Sequence, residues 1–240
     1  MNHPIESRKK SNEEVFNEKV SLVIAFRDES EHLADLVFAM SQIDYPAELL
    51  QIVLIDDHST DSSKEIISSS TLPFEVVLLS ASLRGKKQAI QEALQFVNGE
   101  VVLFTDADCR FSNNWVSSMV LKFREDQFKM LIGPVVYTEK AGFLNALYQL
   151  DFLALIGFTE ASVYARRPTM ANAANMGFRT DFRKQIEMDD LRGDLPSGDD
   201  VFILHHLKYS KSSKSIAFIA SVVETAAPSH FQDFLRQRIR

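Results

Sequence analysis

Hydrophobic and polar residues come in blocks along this chain, and the blocks have two different periods. Val20 to Phe26 is an apolar run of strand length. Polar Arg27-Asp28-Glu29-Ser30 follows, and then Leu33, Leu36, Val37 and Met40 recur at helical spacing. Asp28 and Glu31 have the spacing of a capping box, which predicts the helix start. The unit repeats: Gln51 to Ile55 reads as a strand, Asp56-Asp57-His58-Ser59-Thr60-Asp61 as a loop, Ser62 to Ser68 as a short helix and Phe74 to Leu79 as a strand. After Arg84-Gly85-Lys86-Lys87 a helix turns Ala89, Ile90, Ala93, Leu94 and Val97 inward, and Asn98-Gly99 ends it. Val101 to Phe104 is a buried strand that stops at Thr105-Asp106-Ala107-Asp108. Such alternation predicts an α/β fold, a mostly parallel sheet with helices on both faces.

Past Cys109 the rhythm loosens. Asn113 starts a helix with Trp115, Val116, Met119, Val120 and Phe123 on one face. Lys129 to Tyr137 reads as one strand, and Gly133-Pro134 within it predicts an edge or bent strand. Gly142 to Val163 is apolar on nearly every side and predicts a helix buried in the core, with a membrane surface or a partner as the alternative cover. Asp151 and Glu160 on it read as ordinary hydrogen-bonded polar positions. Arg166 to Arg179 is a loop of small residues, followed by a polar helix to about Met188. An exposed acidic loop then delivers Asp199-Asp200 to the head of a helix. Ser215 to Val223 reads as a strand, and Phe231 to Arg240 as a basic amphipathic helix. The expected organisation is a mobile lead-in over 1–19 and one domain over 20–240. The change of rhythm divides that domain into a first half, 20–110, and a second half, 111–240.

Composition changes this picture little. With 45% apolar and 25% charged residues, the 240-residue chain is an ordinary globular protein. A net charge of -7 speaks against nucleic acid as a partner. The single Cys109 excludes an internal disulfide framework and reads as a small packing residue. Met1 to Lys19 lacks the apolar core of a signal peptide, and Phe143 to Phe158 is short for a spanning helix, so the chain as given is expected to be soluble.

The chemistry gathers where strands end. Residues i and i+2 of an extended segment point the same way, so Asp106 and Asp108 can aim at one point. Two such carboxylates repel unless a cation lies between them, and oxygen donors suit Mg²⁺ or Mn²⁺. Asp is also common in solvated turns. Yet Asp28, Glu29, Asp56, Asp57, Asp106 and Asp108 all fall at the carboxyl ends of predicted strands, where open α/β sheets hold ligands. Solubility alone does not account for six acids on one rim.

The acidic loop from Ile55 to Asp61, then Gly85-Lys86, Asp106-Ala107-Asp108, Gly198-Asp199-Asp200 and Gln237-Arg238-Ile239-Arg240 follow in an order and spacing that resemble a known family. It is the processive, membrane-associated branch of the family 2 glycosyltransferases, which includes cellulose, chitin and hyaluronan synthases and ceramide glucosyltransferases. Ala173-Ala174-Asn175-Met176-Gly177-Phe178-Arg179 resembles the family's small-residue acceptor loop. Departures are Ala25 for a common proline, Asp28 for the usual Asn, His58 for a glycine, Ala173 for the loop's leading glycine, and no tryptophan after Arg240.

The resemblance implies the GT-A fold, a Rossmann-like nucleotide half joined to an acceptor half. It implies inverting transfer of a sugar from a nucleotide-diphosphate sugar, UDP-linked by preference, to a hydroxyl of a glycan or lipid. Under it, Asp56 or Asp57 would hold the base or ribose, with Ala25, Phe26, Glu29 and Ala107 lining the same pocket. Lys86 would lie near the diphosphate. Asp106 would contact ribose or metal-bound water, and Asp108 would ligate Mg²⁺ or Mn²⁺. Asp200 would be the general base, while Asn175, Asp199, Gln237, Arg238 and Arg240 would serve the acceptor and the departing diphosphate. Work at the cytoplasmic face of a membrane, through segments missing from this chain, is a further expectation. The alternatives are an inactive nucleotide-sugar-binding module, a haloacid dehalogenase-like phosphotransferase and a receiver domain.

Overall fold

A computed structural model describes residues 15–125, 128–138, 142–183, 215–228, 231–232 and 234. The first half follows the predicted rhythm. Its elements are β1 (Val20–Phe26), α1 (Leu33–Ser41), β2 (Leu50–Asp56), α2 (Ser63–Ser69), β3 (Glu75–Ser80), α3 (Lys86–Ala93) and β4 (Val101–Phe104). Next come β5 (Arg110–Phe111), α4 (Trp115–Glu125), β6 (Met130–Ile132), β7 (Val135–Tyr137), α5 (Phe143–Tyr164), β8 (Met176–Arg179), α6 (Thr180–Arg183), β9 (Ile216–Phe218) and β10 (Val223–Thr225).

Seven strands form the main sheet in the order β3-β2-β1-β4-β8-β6-β9, and β5-β10-β7 form a small second sheet. Only β8 runs antiparallel to its neighbours in the main sheet. Side chains alternate across the sheet as a strand requires. Leu22 and Ile24 join α1, α2 and α4 in one core, whereas Val23 joins Val102 and the α3 residues Ala89 and Ala93 in the other. Apolar burial on both faces makes the parallel strands apolar throughout.

Several expectations need correction. Asp28 does not cap α1: His32 stands at the helix start, and the Asp28 carboxylate instead accepts from Thr60. Lys129 to Tyr137 is two strands in two sheets, because the chain changes sheet at Gly133-Pro134, and β6 lies inside the main sheet rather than at its edge. Ser215 to Val223 likewise divides into β9 and the start of β10, one in each sheet. The small-residue loop contains β8, which runs between β4 and β6. Val15 to Lys19, assigned to the lead-in, is tied down in part: Arg124 binds Glu18 and the Val15 carbonyl, and Phe16 packs on Tyr45. The largest correction concerns α5. Its buried residues are Tyr148, Thr159, Ser162 and Val163, while Phe143, Leu147, Leu150, Leu153 and Phe158 face outward.

Candidate active site

Chain order in the main sheet reverses between β1 and β4: from β1 the chain steps outward through β2 to β3, then returns to the other side of β1. At such a switch point the loops leaving the two central strands part, and a crevice opens beyond their carboxyl ends. A cleft of about 230 Å³ lies there, lined by Ala25 and Phe26 of β1, Arg27 and Glu29 just beyond it, Asp57 after β2, Lys86 from α3, and Asp106, Ala107 and Asp108 beyond β4.

Local hydrogen bonds fix these side chains. The Asp57 N–H donates to the Phe26 carbonyl at 2.8 Å, and the Gly85 N–H donates to Asp57 Oδ1 at 2.7 Å. Asp57 is 4% exposed, so the loop after β2 is tied to the head of α3 through a buried carboxylate. Gly85 has φ of 130°, a conformation open to glycine, and an added Cβ would sit 2.4 Å from Gln88 Oε1. The neighbouring loops are laced as well. Glu29 N–H donates to Ser63 Oγ at 2.8 Å and Ser30 N–H to Asp61 Oδ2 at 3.0 Å. Hydrogen bonds from Ser63 and Ser30 hold the Asp61 carboxyl well below the usual carboxylate range. His58 takes a left-handed φ of 62°, which explains why a glycine suits that position.

Of the pair left open by the sequence, only Asp57 lines the cleft. Asp56 turns its Oδ1 back to accept from the Ser59 N–H at 2.9 Å and shapes the loop. Lys86 Nζ meets Asp106 Oδ1 at 2.6 Å. Burial alone would lower the Lys86 ammonium, but the Asp106 carboxylate, with Asp108 behind it, holds it above its ordinary value. Half of that side chain remains open to water, so the pair is screened rather than locked. Burial, and after it the Asp108 charge, pushes the Glu29 carboxyl up. Asp108 Oδ2 accepts from Thr225 Oγ1 at 2.9 Å, which joins the small sheet to the site. Cys109 is buried, and burial raises its thiol, in keeping with a packing role.

The donors fit a hard divalent cation. Every acidic side chain in the cleft offers oxygen, and among the described residues no His or Cys lines it. Among the described residues no three His, Cys, Asp or Glu side chains form a cage, so Asp106 and Asp108 would share an ion with ligand oxygens.

Asn175 needs correction. Its amide is fully buried, donates at 2.8 Å to the carbonyls of Pro134 and Ser221, and accepts from Trp115 Nε1 at 3.0 Å. A Cβ on Gly133 would lie 2.3 Å from Asn175 Nδ2, so that glycine makes room for the amide. Asn175 braces the junction of the two sheets and has no free group for an acceptor. Asp199, Asp200, Gln237, Arg238 and Arg240 lie outside the described residues. Two cleft neighbours were not singled out by the sequence reading. Arg27, 3.9 Å from Asp57, was signalled by its place directly after β1, whereas Thr225 gave no local signal because it arrives from the other sheet.

The family model described as "Glycosyl transferase family 2" matches residues 21–187. The chain belongs to that family. This membership answers the dehalogenase and receiver alternatives in the negative. Poly-β-1,6-N-acetyl-D-glucosamine synthase of Staphylococcus epidermidis is 26% identical over 177 residues, which cover 72% of this chain and 41% of that protein. The chain thus spans about two-fifths of that relative's length. Among solved structures, mannosyltransferase PcManGT from Pyrobaculum calidifontis, in complex with GDP-Man and Mn²⁺, superposes with a TM-score of 0.72 at 18% identity, covering 93% of this chain and 61% of that one. TarS of Staphylococcus aureus in complex with UDP-GlcNAc gives 0.63 at 17% identity, covering 88% and 59%. Both likenesses show the fold, and the family 2 chain described here has the GT-A architecture.

Proposed function

We propose that this chain is the catalytic part of an inverting glycosyltransferase of the processive, membrane-associated branch. It moves a sugar from a nucleotide-diphosphate sugar, UDP-linked, to a hydroxyl of a glycan or lipid at the cytoplasmic face of a membrane. The observation that carries this reading is the convergence of Asp57, Lys86, Asp106 and Asp108 on one cleft at the sheet's switch point. Two of the similar proteins agree in kind: one is a poly-β-1,6-N-acetyl-D-glucosamine synthase and the other was solved in complex with UDP-GlcNAc.

In this reading Asp57 accepts hydrogen bonds from base or ribose, with Ala25, Phe26 and Ala107 forming the walls. Lys86 exchanges part of its contact with Asp106 for a diphosphate oxygen, where an ammonium acts as a point charge. Asp106 and Asp108 would hold Mg²⁺ or Mn²⁺, which when bound would supply counter-charge for a leaving diphosphate. Asp200 takes the proton from the acceptor hydroxyl as that oxygen attacks the anomeric carbon from the opposite side, inverting it. Asp199, Gln237, Arg238 and Arg240 steady the acceptor and the departing diphosphate.

Calorimetric titration of a panel of nucleotide sugars, with Mn²⁺ and then with a chelator, tests donor and metal together. Binding should vanish on chelation. Asp108→Ala should lower turnover by about 10³-fold and weaken donor binding, since charge stabilisation in such sites carries several kcal/mol. Asp200→Ala should lower turnover by roughly 10²–10⁴-fold with donor affinity kept. Normal turnover in Asp200→Ala would overturn the base assignment. Binding without any turnover in the wild type would leave a nucleotide-sugar-binding module.

A further inference from the structure

Helix α5 wears many of its apolar side chains outward. Along its 22 residues, roughly 33 Å at the helical rise, Phe143, Leu147, Leu150, Leu153 and Phe158 fall on one face together with Ala146, Ala154, Gly157 and Ala161. Phe143 is 83% exposed, Leu150 66% and Phe158 56%. No charged residue interrupts this stripe, and Asp151 and Glu160 lie off it, half-buried. The opposite side packs on β7 and β9 and buries the Thr159 and Ser162 hydroxyls, which donate back to the helix carbonyls of Leu155 and Thr159. An exposed patch of this length is a surface in need of a cover.

The end of the helix says what the cover is. Tyr164 is 75% exposed and Arg166 and Arg167 are both exposed, directly beyond the last turn. Among the described residues neither arginine forms an ion pair, and the whole chain is otherwise acidic, with a net charge of -7. An uncharged apolar face closed by an aromatic ring and a pair of arginines matches the boundary of a bilayer, where acyl chains meet anionic headgroups. A second copy laid on this face would bring Arg166 and Arg167 no carboxylate from its own stripe. α5 packs on β7, which pairs through β10 with Asp108 by way of Thr225, so this surface belongs to the part of the molecule that borders the cleft.

We propose that the outward face of α5 lies in the headgroup and upper acyl layer of an anionic membrane, with Tyr164, Arg166 and Arg167 anchoring one end. The inference builds on the membrane-side location proposed above and gives that location a contact surface within this chain.

Vesicle flotation tests it, using phosphatidylcholine vesicles with and without about one-third phosphatidylglycerol. The chain should float with the anionic vesicles and far less with neutral ones. Phe143→Ser/Leu150→Ser/Phe158→Ser should weaken binding about tenfold or more, since affinity follows buried apolar area. Arg166→Glu/Arg167→Glu should weaken it about tenfold on anionic vesicles alone. All five side chains are exposed, so unchanged thermal unfolding is expected as a control. No flotation of the wild type, or undiminished flotation of the triple variant, would overturn the proposal. So would a wild-type dimer that the triple variant makes monomeric. Donor titration of the same proteins keeps the two readings apart: donor binding without flotation defeats the membrane surface, and flotation without donor binding defeats the transferase.

Discussion

Helices α4 and α5 follow one another in this chain and are both rich in large apolar residues, yet they spend them in opposite directions. Trp115, Val116, Met119, Val120 and Phe123 of α4 all enter the core, and its Lys122 and Arg124 remain outside. α5 buries Tyr148, Thr159, Ser162 and Val163, stacks Phe152 on Tyr137, and turns Phe143, Leu147, Leu150, Leu153 and Phe158 out. The difference lies in what each helix faces. α4 covers the main sheet beside Leu103 and Leu131, where one side is apolar and the other is water. α5 packs along the strands β7 and β9 of two different sheets and leaves its wider apolar arc without cover. Periodicity therefore located the buried side of α4, but an all-round apolar helix has no unique inward face.

The sharpest way to test the contrast is to cut both helices. Phe123→Ala should cost about 3–5 kcal/mol in chemical denaturation, through lost burial and the cavity left behind. Leu150→Ser on the outward face of α5 should stay within about 0.5 kcal/mol. Equal losses would mean that α5 is a core helix after all. A smaller loss is expected where the two sheets meet: Asn175→Ala should cost about 2–3 kcal/mol, because two carbonyls and the Trp115 N–H lose their partner. That variant should leave donor affinity unchanged, as befits a brace.

A weaker effect than that of the brace concerns the strap before β1. The hydrogen-bonded Arg124 guanidinium holds the Glu18 carboxyl down at about 2, from an ordinary 4.5. A carboxyl lowered by folding gives stability that is full above its unfolded value and is lost as pH falls towards the folded one. Urea midpoints measured between pH 4.5 and pH 2 should fall more steeply in the wild type than in Glu18→Gln, by about 1 kcal/mol after screening by water. Parallel curves would show that the strap carries no such linkage.

Much of the cleft was legible because its cues are local. Strand-length apolar runs, helical spacing and acids at strand ends each reside in a few consecutive residues, and Asp57, Lys86, Asp106 and Asp108 duly meet at one cleft. Cues that need a distant partner were not legible. Asp56 and Asp57 are chemically alike, and only the loop geometry turns one to Ser59 N–H and the other to the cleft. Asp28 has the spacing of a cap but finds Thr60 across a neighbouring loop. Asn175 has the look of an acceptor ligand until Trp115, Pro134 and Ser221 surround it.

The sequence by itself determined the strand–helix alternation, the parallel order of the first strands and the acidic rim, because each follows from side-chain period and chain chirality over short distances. Tertiary structure alone decided which acids share a cavity, how a Gly-Pro break sends two strands to two sheets, and which side of α5 faces out. Those outcomes depend on packing between residues far apart in the chain, and such contacts exist only once the sheet has assembled.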